Sequence, residues 1–263
     1  MRFLAKKSLG QNFLKDQKII DLIVEIGNIN NKDRVVEVGP GTGKLTEKIL
    51  EKKPKDFTVI EKDERLAKYL HEKFGNKIRV INEDMMKFQY EIFSNKKLII
   101  FGNLPYNIST QILSKWIKSE KLENFCKKMV LMFQKEVADR IVAKTNTKNY
   151  GRLSIIANWK MKIEKIVDIE PSSFDPRPKV KSTLLVFTPK HSKFNFKDPK
   201  NLEHVTNIFF SQRRKMIKKP LKFLFKDFNN VAKKLDLDLN VRPQNLNNLT
   251  YYKICEIYES LIN

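Results

Sequence analysis

Glu37-Val38-Gly39-Pro40-Gly41-Thr42-Gly43 decides the fold of this 263-residue chain. It closes an apolar run, Arg34–Val38, and leads into an amphipathic stretch, Leu45–Lys53. A short β-branched run, a glycine-rich bend and then a helical period form a strand–turn–helix unit. Glycines at such a bend let the backbone come close to a ligand. The alternation continues downstream. Strand candidates follow at Phe57–Ile60, Ile78–Ile81, Lys97–Phe101, Lys128–Phe133, Ile163–Ile169 and Thr183–Thr188. Helical stretches such as Glu64–Phe74 and Ser109–Ser119 lie between the first five strands. This predicts an α/β, Rossmann-like fold with a mostly parallel seven-stranded sheet covered on both faces. The last two strands have only the proline-rich loop Pro171–Pro178 between them, and are expected to pair as an antiparallel hairpin at the sheet edge.

After Pro189 the pattern changes. Lys190–Pro199 is a polar, proline-bounded linker, followed by helix candidates at Asn201–Arg214, Lys218–Phe225, Val231–Leu235 and Tyr251–Leu261. Leu246 and Leu249 sit in an asparagine-rich turn before the last of them. The expected division is therefore a large α/β domain, 1–188, and a small all-helical domain, 189–263.

Charge narrows the choice of partner. Lys and Arg number 52 against 30 acids, a net charge of +22. That excess predicts a polyanionic partner, nucleic acid or an anionic membrane surface. No apolar run approaches the ~20 residues of a membrane span. The basic start at Met1-Arg2 has no apolar region behind it and is not expected to be a secretory signal. Nucleic acid is favoured, in the cytoplasm. The two cysteines, Cys126 and Cys255, and three histidines are scattered, so neither a metal site nor a disulfide is expected.

The glycine spacing separates cofactor classes. A dinucleotide fingerprint needs its third glycine at position 44, which is Lys44, and a phosphate loop needs Ser or Thr at Leu45. Glu-x-Gly-x-Gly-x-Gly is instead a pattern that holds the amino-acid part of S-adenosylmethionine, with a plain glycine-rich turn as the alternative. Glu61 ends the second strand, where a carboxylate can accept from both ribose hydroxyls. Asp84 follows the third, placed to accept from an adenine amino group. Either alone also reads as a solvated loop acid or helix cap.

Asn103-Leu104-Pro105-Tyr106 follows the fourth strand. An exocyclic amine on an aromatic ring is a poor nucleophile because its lone pair is delocalised. The Asn103 side-chain oxygen and the Leu104 carbonyl can accept its two N–H groups and localise that pair. Pro105 sets the backbone direction, and Tyr106 offers a stacking face. By itself the tetrapeptide also reads as a turn after a strand.

With these residues in place the chain resembles the KsgA-type small-subunit rRNA adenine dimethyltransferases. The resemblance opens with Lys7-Ser-Leu-Gly-Gln11-Asn12-Phe-Leu14, similar to the family's cofactor-covering segment. It runs through Val38–Gly43, Glu61, Asp84, Gly102–Thr110, Tyr150–Ser154, Phe174–Ser182, Phe210–Lys215 and Arg242–Leu246. It implies a class I methyltransferase domain and a helical rRNA-binding domain. It also implies that Gln11, Asn12, Leu14, Gly39, Gly41, Glu61, Asp84 and Asn103 contact S-adenosylmethionine. Asn103, Leu104, Pro105 and Tyr106 would form the target-base pocket, with Phe174 as a second aromatic carried on the proline-rich loop. The implied reaction is dimethylation of N6 on two adjacent adenines near the 3′ end of 16S rRNA, by a monomer with no metal. Two departures stand out: Lys181 where the family has an acid, and Gln244 where it has Glu.

Between 213 and 222 lie six cations and no acid, Arg213, Arg214, Lys215, Lys218, Lys219 and Lys222. Interleaved Phe209, Phe210, Met216 and Ile217 allow one side to pack while the other meets phosphates, so rRNA backbone contact is expected. A large-subunit rRNA adenine methyltransferase, and a non-catalytic assembly or transcription factor on the same fold, are the competing functions.

Overall fold

The computed structural model describes residues 3–88, 93 and 96–262. Met1 and Arg2, where a leader was considered, lie outside them. The chain divides into two units, Met1–Ala138 with Lys162–Pro189, and Asp139–Met161 with Lys190–Asn263. The sequence reading put all of 1–188 in the first. The excursion 139–161 was invisible because no linker-like composition marks either end of it.

In the first unit a two-residue strand, β1 (Phe13–Leu14), precedes helix α1 (Gln17–Gly27). Asp16 caps α1 by accepting from Lys18 N at 3.1 Å, and the helix ends at Asn28 in the left-handed region, φ 50°. Gly27 is required there: a Cβ would lie 2.4 Å from the Phe101 ring. The strand–helix series follows as β2 (Arg34–Val38), α2 (Lys44–Leu50), β3 (Asp56–Glu61), α3 (Glu64–Phe74), β4 (Arg79–Asn82), β5 (Leu98–Asn103), α4 (Ser109–Lys118), the single turn α5 (Leu122–Phe125), β6 (Cys126–Gln134) and α6 (Lys135–Ile141). Past the excursion come β7 (Met161–Ile169), the two-residue β8 (Phe174–Asp175) and β9 (Ser182–Pro189).

The seven-stranded sheet has the order β4-β3-β2-β5-β6-β9-β7. β2 pairs in parallel with both β3 and β5, and β5 with β6. These strands are buried on both faces, which explains their nearly continuous apolar sequences. β9 runs antiparallel to β6 and is bonded on its other side to β7. The antiparallel strand is thus enclosed and β7 forms the edge. Successive strands step outward from β2 to β4, and the chain then returns to the other side of β2 with β5. The carboxyl ends of β2 and β5 therefore flank a topological switch point, where open α/β sheets bind ligands. Val38 lies opposite both Ile60 and Gly102, so the glycine bend, Glu61 and Asn103 are neighbours by register.

The second unit is helical: α7 (Arg152–Lys160), α8 (Lys200–Ser211), α9 (Lys218–Leu224), α10 (Phe228–Lys234) and α11 (Asn248–Leu261). Its core holds Trp159, Val205, Phe209, Tyr251 and Ile254. Phe209 meets Tyr251 edge-on at 5.3 Å, and the Tyr251 hydroxyl donates to the Pro243 carbonyl at 2.7 Å. The helix predicted through Arg214 stops at Ser211. Among the described residues no helix is long and apolar enough to cross a membrane, and no cluster of His, Cys, Asp or Glu has metal-ligand geometry.

Candidate active site

At the switch point the first unit holds an open cavity, lined by the N-terminal segment and the carboxyl ends of β2, β3 and β5. Gln11, Asn12, Leu14, Gly39, Gly41, Glu61, Asp84, Asn103, Leu104, Pro105 and Tyr106 all line it.

The floor is the glycine bend. Gly39, Gly41 and Gly43 have φ of 67°, 59° and 77°, a conformation side chains resist. A Cβ on Gly41 would lie 2.7 Å from the Phe13 ring, and one on Gly39 3.3 Å from the Asn103 carbonyl oxygen. The bend is thus a bare-backbone cradle with no room for a side chain.

Glu61 is buried at the end of β3. One carboxylate oxygen accepts from Gly41 N at 3.2 Å and the other from Asp63 N at 2.9 Å. Burial pushes its pKa up, against the pull of those donors. A carboxylate offers about four acceptor sites, so Glu61 keeps capacity for two further hydroxyls. Beneath it Glu37 is fully buried in β2, accepting from the Thr46 hydroxyl at 2.7 Å. Burial raises its pKa to about 8, a direction reinforced by the nearby Glu61 charge. Asp84 accepts from Met86 N at 2.9 Å and pairs with Lys62 at 2.9 Å, which lowers its pKa. Lys115 of α4 donates to the carbonyls of Met86 and Phe88 at 2.8 and 2.9 Å, tying the Asp84 loop to the helix that follows Tyr106.

Asn103 ends β5, and its Nδ2 donates to the Asn12 carbonyl at 2.8 Å. A carbonyl can only accept, so the amide's nitrogen end is fixed and Oδ1 is left available. Leu104 is buried, and the Tyr106 hydroxyl shares a 2.6 Å hydrogen bond with Ser182 of β9, which fixes the ring.

Asp63 anchors the N-terminal wall. It caps α3 through Arg65 N at 3.2 Å, and its buried carboxylate pairs with Arg65 at 2.7 Å and Lys6 at 3.2 Å. Gln11 Nε2 donates to it at 3.0 Å, while Gln11 Oε1 accepts from Lys6 N at 2.7 Å. Arg65, together with Gln11 and Lys6, holds the Asp63 carboxyl well below the usual range. The Gln11 amide is thus committed at both ends to the protein itself.

Phe174 requires a correction. It lies on strand β8 opposite Leu14 rather than on an open loop, is 1% exposed and does not line the cavity. Its apolar ring completes the core beneath the N-terminal segment. The aromatic that lines the cavity against Gly41 is Phe13, and neither it nor Asp63, Lys115 or Ser182 is given a role by the sequence alone. Asp63 alone carried a signal, as an N-cap acid opening a helical period. The two departures are accommodated locally. Lys181 pairs with Glu170 at 2.6 Å, and Gln244 accepts from Arg213 Nε at 3.1 Å.

Of the six cations between 213 and 222, Arg214, Lys215, Lys218, Lys219 and Lys222 are exposed. Arg213 is not a free cation: besides Gln244, it donates to the carbonyls of Thr147 and Lys148.

Residues 2–263 match the family model described as ribosomal RNA adenine dimethylase. The chain belongs to that family. It is 56% identical over 257 residues, 98% of both chains, to the ribosomal RNA small subunit methyltransferase A of Pelagibacter ubique. It is 41% identical over 249 residues to that of Francisella tularensis, covering 92% of this chain and 93% of the relative. Among solved structures, a dimethyladenosine transferase from Plasmodium falciparum superposes with a TM-score of 0.81 at 29% identity, over 94% of this chain and 98% of that one. An adenine dimethylase thus has its glycine cradle, Glu61 and Asn103 at the switch point of a methyltransferase sheet.

Proposed function

We propose that this dimethylase uses S-adenosylmethionine to dimethylate N6 of two adjacent adenines near the 3′ end of 16S rRNA in the small ribosomal subunit. The observation that carries the proposal is the fixed amide of Asn103, on a residue whose backbone carbonyl borders a side-chain-free glycine cradle. The residues fit the cofactor: Gly39 and Gly41 would hold its amino-acid end, Glu61 its ribose hydroxyls and Asp84 its adenine, with Asn12 and Leu14 lining the same cavity. When bound, the cofactor supplies a methyl group already activated on a positively charged sulfur.

The chain supplies alignment. Asn103 Oδ1 and the Leu104 carbonyl accept the two N–H groups of the target amine, which localises its lone pair and stabilises the charge that develops there. Positioning of this kind contributes ~7–11 kcal/mol in well-oriented reactions. Extruding the base costs a few kcal/mol, and stacking on Tyr106 offsets ~1–3 kcal/mol of that. As the new N–CH3 bond forms, the S–CH3 bond breaks and the amine releases one proton to water; a single N–H then remains, enough to engage one acceptor while the other is vacated for the new methyl group.

The names of the curated relatives favour the small subunit over the large-subunit alternative. The proposal includes a cytoplasmic monomer that holds rRNA through Arg214, Lys215, Lys218, Lys219 and Lys222. Incubating the protein with unmethylated small subunits and labelled S-adenosylmethionine, then mapping modified bases, tests it. Two dimethyladenosines side by side are expected. Monomethyl products alone, or label elsewhere, would sink the claim.

A further inference from the structure

We propose that Phe223 is a stacking platform for an unpaired rRNA nucleotide, flanked by Lys219, Lys222 and Lys226 as phosphate contacts; the inference rests on the rRNA reading above. Between 213 and 226 the chain carries seven cations and no acid: Arg213, Arg214, Lys215, Lys218, Lys219, Lys222 and Lys226. Within it α9 buries Pro220 and Leu221. Phe223 is 73% exposed, the one exposed Phe, Tyr or Trp ring among the described residues. A ring so wet gains little from folding, since apolar stabilisation scales with the area removed from water.

Lys219 and Phe223 are four residues apart and share a helix face. The Lys222 ammonium is held 5.3 Å from the Phe228 ring centroid, which fixes a second cation on the same short helix. A π-face bordered by cations suits a single-stranded nucleotide, whose base stacks while its phosphates are neutralised. An anionic membrane fits worse. Interfacial helices need a broad apolar face, and here Phe223 is the one exposed apolar side chain on a helix of seven residues, with Met216 exposed just ahead of it.

The test is binding to unmethylated small subunits across a salt titration, with thermal melting as the folding control. Phe223→Leu keeps the apolar volume and loses the π-face. It is expected to weaken binding about tenfold with an unchanged log–log salt slope, while Phe223→Tyr restores affinity. Lys219→Ala is expected to reduce the slope by about 1. Wild-type affinity for Phe223→Leu, or a Tyr variant as weak as the Leu one, overturns the proposal. So does a loss on Phe223→Leu seen only with phosphatidylglycerol vesicles. If the wild-type chain methylates subunits normally, such results remove this inference alone. If it neither binds nor methylates them, the proposed function falls with it.

Discussion

At Asn103 two roles meet in one amide: the nitrogen is anchored to the Asn12 carbonyl, and the oxygen is left for the proposed target amine. Asn103→Ala removes an acceptor aimed at developing charge, for which losses of about 10²–10³ in kcat are typical. Subunit binding and melting temperature are expected to hold within a few degrees, because only one hydrogen bond at the cavity wall is lost. Retained methylation would refute the role assigned to Asn103. Glu37 gives a pH prediction. Its folded pKa is raised from an ordinary 4.5 to about 8, so the folded state holds a proton that the unfolded chain releases. Its contribution to stability is fully present below about 4.5 and is lost as pH rises to about 8. Glu37→Gln, which still accepts from Thr46, is expected to flatten this decline. Melting curves of both proteins from pH 5 to 8 check the sign.

Elements carry the residues to each other, and here the sequence was legible to different depths. β2, β3, β5 and β6 were plain because strands buried on both faces are continuous apolar runs. The cradle was plain because three alternate glycines answer to three left-handed backbones. The Gln11–Asp63 bond spans 52 residues and the Asn103–Asn12 bond 91, and no local period encodes either pairing. Phe174 misled because its proline neighbours signal a loop, whereas pairing with Leu14 makes it a core strand residue. The Lys115 tie between α4 and the Asp84 loop was equally silent. Lys115→Met leaves the Met86 and Phe88 carbonyls short of a donor, at about 1 kcal/mol. A rise of roughly fivefold in KM for S-adenosylmethionine with kcat unchanged is expected. An unchanged KM would show that the loop holds its position without the lysine.

For the whole molecule, net charge of +22 sets how it meets its partner, but the cations are not equivalent. Each phosphate contact adds about one to the magnitude of the log–log salt slope. Lys215→Ala and Lys218→Ala should each reduce the slope. Arg213→Ala should instead lower the melting temperature, because its guanidinium joins Gln244, Thr147 and Lys148. A reduced slope for Arg213→Ala with unaltered melting would reverse that assignment. Charge told of a polyanion from the sequence alone; which cations are free depends on folding that brings position 213 to 147. The Asn12 carbonyl, finally, makes the enzyme an interlock. The same peptide group walls the switch-point cavity and keeps the Asn103 amide the right way round, so displacing residues 10–14 frees that amide to swivel and present a donor. A molecule in that condition is disarmed toward any amine it meets, and an affinity tag fused too tightly at this end would disarm it permanently.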